Sequence, residues 1–261
     1  MRGGIWTTRR DKLLEILSPI VTLGVFLVAW QVVSVHFRLP VWLLPSPANV
    51  IAATAQWSDS LPYHTFVTIY ESLAGFALGI LFGMPIALAV ALSNFLKRTI
   101  YPLLILMQSV PKIAIAPLLL IWFGHGIAPK IVVVFLVSFF PIVVGLTSGI
   151  DKTPQSVLDL ARTLHATKGQ IFWRVRFPYA LPYLFVGLKV GITLAVIGAV
   201  IGEFVGANEG LGFLIIISTA QVNTSLAFAS MAILTIASIV LYYIVDAVER
   251  LVVPWASRVR M

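Results

Sequence analysis

The segment DKTPQSVLDLARTLHATKGQIFWRVRFPYALP occupies residues 151–182 and decides how the rest of the chain is interpreted. It is polar and charged, whereas apolar runs long enough to cross a bilayer lie on both sides of it. A polar, amphipathic segment of this size between two membrane spans is typical of a surface presented to a soluble partner. Residues 151–180 are therefore the first candidate for a site of contact with another protein.

The composition of the whole chain indicates a membrane protein. Hydrophobic residues make up 59% of its 261 residues, and only 11% are charged. A soluble domain carries about 25% charged residues, so most of this surface is expected to face the lipid bilayer. The alternating short segments of a membrane β-barrel are absent from the sequence. The predicted fold class is therefore an all-α membrane protein.

Six apolar stretches are long enough to span the hydrocarbon core, which needs about 20 residues per helix. The predicted spans are residues 14–37, 66–92, 99–123, 130–150, 181–204 and 226–248. A short interfacial helix is predicted at residues 46–57, in the proline-rich stretch between the first two spans. No internal repeat or linker divides the chain, so residues 1–261 are predicted to form a single transmembrane domain.

Small residues recur at every fourth position in the second and fifth predicted spans. Such spacing allows helix backbones to approach closely inside a membrane. The residues concerned are Gly75, Gly79, Gly83, Ala87 and Ala91 in the second span, and Gly187, Gly191, Ala195 and Ala199 in the fifth. Two interpretations remain open at this point, a seam between two copies of the chain and close packing within one copy.

The basic residues predict the orientation of the spans. If both termini are cytoplasmic, fourteen of the eighteen lysines and arginines lie in the tails, in the 2–3 loop or in residues 151–180. Cytoplasmic loops generally carry such an excess. Only Arg38 and Lys130 fall on the other side, and Lys112 and Lys189 fall within spans. Because the basic residues are spread over several loops and form no continuous patch, nucleic acid is not an expected partner.

Within residues 151–180 the pattern predicts a helix hairpin. Thr153 and Pro154 are typical of an N-cap and a first helical residue. His165 follows in a turn, and Thr167 is predicted to cap a second helix that ends before Pro178. The apolar residues of the first helix recur at helical spacing and form a ridge, namely Val157, Leu160, Ala161 and Leu164. An amphipathic helix of this kind typically binds in a groove of a partner.

The same residues resemble the cytoplasmic signature of the membrane permease subunits of bacterial ABC importers. That signature is Glu-Ala-Ala, three residues, Gly, nine residues, Ile, one residue and Leu-Pro. The corresponding positions here are Asp159, Leu160, Ala161, His165, Val175, Phe177 and Pro178. The spacing is intact. Because a histidine replaces the glycine, the turn is expected either to avoid the glycine-only conformation or to be strained.

Three further stretches are similar to the nitrate/sulfonate/taurine branch, which includes thiamine-precursor and riboflavin permeases. They are LPSPANV at 44–50, PKIAIAPLLLIWFGHG at 111–126 and GEFVGANEGLGFLI at 202–215. The resemblance implies a six-helix type I ABC importer permease in the bacterial cytoplasmic (inner) membrane. It also implies a second copy of this permease as a homodimer, two cytoplasmic ATP-binding subunits and an extracytoplasmic solute-binding protein. The implied function is import of a small polar or anionic solute.

The resemblance further implies that the hairpin couples a partner's ATPase to the spans. The implied coupling residues are Asp159, Leu160, Ala161, Arg162, Leu164, His165, Arg174 and Pro178. No Walker A motif occurs, so ATP is expected to bind a partner subunit, and neither a cofactor nor a catalytic residue is predicted on this chain. There are no cysteines and the four histidines are scattered, so no metal site is predicted either.

Four ionisable residues fall within or at the edge of the predicted spans. Such residues normally face a cavity or pair with one another. Lys112 and Glu203 are predicted to line the translocation pathway, and the alternative for each is a structural ion pair or a side chain that reaches a helix end. The roles of Glu71 and Lys189 stay open, as does the transported substrate. An autonomous ion-coupled secondary transporter or channel is the alternative function.

Overall fold

The computed structural model describes residues 9–255, with side chains from residue 17 onward. Within that range every regular element is helical. In chain order the helices are α1 (Arg9–His36), α2 (Pro47–Gln56), α3 (Leu61–Leu92), α4 (Asn94–Gln108), α5 (Lys112–Phe123), α6 (Ile127–Asp151), α7 (Gln155–Thr163), α8 (Lys168–Ile171), α9 (Phe177–Gly206), α10 (Leu211–Ala220) and α11 (Thr224–Val252). A π-helical stretch, Phe172–Arg176, joins α8 to α9.

Five helical stretches of the described chain are long and apolar enough to cross a membrane, and counting one bent pair as a single span gives six. The bent pair is α4 and α5, whose axes differ by 94°. The predicted span at residues 99–123 therefore covers parts of two helices that meet at a sharp bend, and not a single straight helix. Pro111 lies at the break between these helices and cannot donate a backbone hydrogen bond, so a continuous helix is interrupted there. The basic residues at positions 2, 258 and 260 lie outside the described residues.

Helices α3, α6 and α9 form the centre of the molecule. A Cβ atom on Gly187 would lie 2.4 Å from the carbonyl oxygen of Pro141, and one on Gly75 would lie 2.4 Å from Cβ of Val134. The small-residue stripes of α3 and α9 therefore both pack on α6 of the same chain. Of the two interpretations of these stripes, close packing within one copy is the one observed.

The chain runs between two ends of this bundle. The hairpin end carries α7, the C-terminus of α6 and the C-terminus of α11. The far end carries the N-termini of α3 and α6 and the helix α10, which lies between the ends of α9 and α11. The glycine-rich segment at residues 206–212 contains the start of α10, at Leu211.

Candidate functional site

The first helix of the hairpin starts one residue later than predicted. Pro154 is the N-cap of α7 rather than its first residue. Thr153 is buried, and its hydroxyl donates a 3.0 Å hydrogen bond to the carbonyl of Ile150 at the end of α6. The threonine therefore closes the preceding helix instead of opening the next one, and this contact fixes where α7 leaves the bundle.

One leucine of α7 is buried, and two others are exposed on its surface. Leu158 is only 1% exposed and is the buried contact of this helix. Leu160 is 61% exposed and Leu164 is 73% exposed, although both are large apolar residues. The predicted ridge therefore exists, but it faces outward. Leu158 was missed because it lies one position beside the ridge in the helical pattern.

The polar coupling candidates lie beside this ridge. Arg162 donates from Nη1 to Oδ1 of Asp159 at 2.7 Å, and both side chains are more than half exposed. Ala161 is half-buried, and Arg174 is exposed on the π-helical stretch. Exposed ion pairs contribute little to folding stability, so this pair is not needed to hold α7 in its folded conformation.

The turn between the two helices holds a histidine in the left-handed region. The φ angle of His165 is +56°, a conformation that favours glycine. The N–H of Ala166 donates to the carbonyl of Ala161 at 3.0 Å, which closes the end of α7. The expectation of a strained residue at this position is thus the one that the structure bears out.

The second helix begins as predicted but does not end as predicted. Thr167 caps α8 in a reciprocal capping box with Gln170, at 3.3 Å and 2.8 Å. The predicted end before Pro178 is wrong, because α8, the π-helical stretch and α9 form one helical run of 39 residues. The N–H of Phe177 bonds to the carbonyl of Phe172, five residues back. This wider turn accommodates Pro178, which lacks an N–H donor.

Glu203 is buried at the far end and is bonded on two sides. It is 1% exposed, and one carboxylate oxygen accepts a 2.6 Å hydrogen bond from the hydroxyl of Thr68 on α3. Its other oxygen accepts from the N–H of Gly212 in the first turn of α10. The predicted role of Glu203 in lining a pathway stays a prediction.

Two further bonds tie the start of α10 to α3. The N–H of Leu211 donates to the hydroxyl oxygen of Thr68 at 2.9 Å. The N–H of Gly210 donates to Nδ1 of His64 at 3.0 Å. Sequence reasoning missed His64 and Thr68, because their partners lie about 140 residues away and no local pattern connects them.

Lys112 lies at the break between α4 and α5. Its ammonium group donates to the carbonyl of Gln108 and lies 5.2 Å from the ring centre of Phe140 on α6. The lysine thus satisfies a carbonyl at the end of α4 and faces an aromatic ring. Lys112 and Glu203 have separate sets of partners, and their shared role in a pathway stays a prediction.

The other two intramembrane charges form ion pairs. Lys130 on α6 pairs with Glu71 on α3, and both are buried. Lys189 on α9 pairs with Asp246 and Glu249 on α11. Buried charges in a membrane are expected to be paired in this way. At the hairpin end, Lys97 on α4 also bonds to Asp151 on α6 at 2.6 Å.

Comparison with known proteins agrees with this arrangement. The family model for the binding-protein-dependent transport system inner membrane component matches residues 75–258. A probable ABC transporter permease of Haemophilus influenzae is 39% identical over 233 residues, which cover 89% of this chain and 95% of the relative. The formylaminopyrimidine transport permease protein ThiX of Halalkalibacterium halodurans is 34% identical over 94% of this chain and 98% of its own length.

The fold also has a solved counterpart. A chain in an inward-facing structure of the MetNI methionine ABC transporter superposes with a TM-score of 0.62 at 20% identity, over 72% of this chain and 94% of that chain. The long apolar helices and these relatives indicate a multi-pass protein of the inner membrane. The chain therefore belongs to the family of binding-protein-dependent transport system inner membrane components, and it is a permease of an ABC importer.

Proposed function

We propose that residues 151–180 are the cytoplasmic segment through which two ATP-binding subunits drive this permease. The observation that carries the proposal is the outward apolar ridge of α7. Leu160 and Leu164 are both more than 60% exposed on a short helix whose buried residue is Leu158. An exposed apolar ridge with flanking charges fits the groove of a soluble protein better than it fits water or lipid.

The connection of α7 to the spans suggests how movement passes through the segment. On one side α7 follows the end of α6 through Thr153. On the other side the turn at His165 leads into α8, which continues into α9 without a helix break. A displacement of α7 by an ATPase therefore acts on α6 and α9 together. Closure of the two ATP-binding subunits then switches the permease from an inward-facing to an outward-facing arrangement.

In this proposal Asp159, Arg162 and Arg174 are directional polar contacts around the ridge. The small side chain of Ala161 allows the partner to approach α7 closely, and His165 forms the turn after α7. Pro178 lies where the segment enters α9. Both termini and the hairpin end are cytoplasmic, in line with the distribution of basic residues. The far end faces an extracytoplasmic solute-binding protein, and a second copy of this chain completes the pathway as a homodimer.

The proposed cargo is a small polar or anionic solute. The 34% identity to a formylaminopyrimidine permease supports a solute of the thiamine-precursor or riboflavin kind, with nitrate, sulfonates and taurine as the other class of the branch. Lys112 is the proposed cationic contact in the pathway, because its ammonium group lies at a helix break rather than in a buried carboxylate pair. The similarity to permeases of ABC transporters favours an importer over an autonomous ion-coupled transporter.

The ridge can be tested with charge substitutions. We expect Leu160→Asp and Leu164→Asp to reduce co-purification of the ATP-binding subunit, and Arg162→Glu to lower the ATP hydrolysis that the binding protein stimulates. Phe95→Asp is the matched control, because Phe95 is 72% exposed on α4 at the same end of the bundle. Full partner retention and full stimulation in the ridge variants would refute the proposed coupling role.

A further inference from the structure

The N-terminus of α10 lacks a cap of its own. The residue before the helix is Gly210, which has no side chain with which to bond the first free N–H groups. In water such groups are solvated, but inside a membrane protein an unpaired N–H group is costly. Side chains from two other helices serve instead, and we call them the capping set: His64 and Thr68 on α3 and Glu203 on α9.

The fit between the capping set and α10 is close. Gly210 has a φ of +108°, and a Cβ atom there would lie 2.2 Å from a carboxylate oxygen of Glu203. A Cβ atom on Gly212 would lie 2.7 Å from the other carboxylate oxygen. The carboxyl group therefore fits only against a backbone without side chains at both positions, and it lies along the start of the helix.

The rest of α10 packs over the far end of the bundle. Its buried face consists of Leu211, Gly212, Leu214, Ile215 and Ser218. These residues lie against α3, α9 and α11, and both ends of α10 connect to the far ends of α9 and α11. The position of α10 therefore determines how this end of the bundle is covered.

We propose that Thr68 and Glu203 are positioning residues that fix α10 over the far end of the permease. Loss of their bonds releases the N-terminus of α10 and opens its buried face to water. In the orientation of the proposed function this end is extracytoplasmic, so α10 covers the side from which solute enters. Glu203 then acts through α10 rather than by contact with solute.

The absence of cysteines from the chain allows a direct test on the full-length permease in lipid nanodiscs. Ser218→Cys places a single thiol on the buried face of α10, at a position that is 0% exposed. We expect Thr68→Val to accelerate labelling of this thiol by a water-soluble maleimide roughly five- to tenfold, the effect of removing buried hydrogen bonds. Thr68→Ser keeps the hydroxyl group and should restore the slow rate.

Glu203 is tested in the same background. Glu203→Leu should accelerate labelling at least as much as Thr68→Val, and Glu203→Gln, which retains one oxygen acceptor, should give an intermediate rate. The matched reporter is Ser230→Cys on α11, also 0% exposed, whose rate should not change. Unchanged labelling at position 218, or an equal rise at position 230, would overturn the proposal.

This measurement needs neither ATP nor a solute. A failure of α10 to respond therefore leaves the proposed coupling segment untouched. Conversely, failure of the proposed coupling role of residues 151–180 would not alter the labelling rates. The two proposals can therefore fail separately.

Discussion

Lys189 on α9 and Asp246 on α11 form an ion pair that is almost fully buried. Glu249 supplies a second carboxylate to the same ammonium group, and Arg250 bonds to Asp246 from the exposed side at 2.6 Å. This cluster joins the two helices near the hairpin end, where α9 continues into the hairpin. The ammonium group of Lys189 is therefore paired with carboxylates of α11 and does not face a translocation pathway.

Lys189→Met should therefore be strongly destabilising. It leaves two carboxylates buried without their shared cation, and breaking a buried pair typically costs about 3–5 kcal/mol. Arg250→Met is the matched control, because Arg250 is 76% exposed and its pair is expected to contribute about 0–1 kcal/mol. Thermal unfolding of the purified permease in detergent distinguishes the two, and equal midpoints would contradict the structural role of the cluster.

Gly187→Ala should disrupt the contact between α6 and α9. The added methyl group would lie 2.4 Å from the carbonyl oxygen of Pro141, and backbone cannot move aside cheaply. Overpacking of this kind costs about 1–3 kcal/mol. Gly24→Ala on α1 is the control, since no described residue lies within 4 Å of its added methyl group. The measurement is again the unfolding midpoint. A Gly187→Ala midpoint equal to that of the control would show that the contact between α6 and α9 is looser than described.

His165→Gly should stabilise the hairpin turn. A non-glycine residue in the left-handed conformation costs about 1–2 kcal/mol, part of which the greater freedom of unfolded glycine offsets. His165→Ala keeps the Cβ atom and removes only the imidazole, so it separates the backbone effect from any contact of the ring. We expect slower hydrogen exchange at residues 164–167 in the glycine variant than in the alanine variant. Equal exchange would mean that the turn stores no strain.

Lys112→Met tests the proposed cationic contact. Because the ammonium group bonds to the carbonyl of Gln108 and pairs with no carboxylate in the described residues, its loss should leave assembly intact. Uptake of the solute that the partner binding protein retains should fall several-fold if that solute is anionic. Lys97→Met is the control at an exposed ion pair of the hairpin end. Unchanged uptake with normal assembly would remove Lys112 from the pathway.

Several features were predictable because they depend on local sequence. Long apolar runs must become helices in a bilayer, since only internal hydrogen bonds satisfy their backbones, and this located the long apolar helices. The N-cap at Thr167 was likewise predictable from the local sequence, and the structure adds its reciprocal bond with Gln170. The Glu-Ala-Ala-like spacing from Asp159 to Pro178 was sufficient to identify the candidate coupling segment, because it too lies within one short stretch of the chain.

Which charges meet and which way a helix faces followed only from the packing of the helices. The pairs Glu71–Lys130 and Lys189–Asp246 join residues more than 55 positions apart, and no local pattern relates them. The ridge of α7 is exposed because the helix buries the side that carries Leu158. The amino-acid sequence alone was enough to predict a helical membrane permease, because bilayer energetics act on each segment separately. Helix packing, in contrast, brought distant segments together to cap α10 and to neutralise the buried charges.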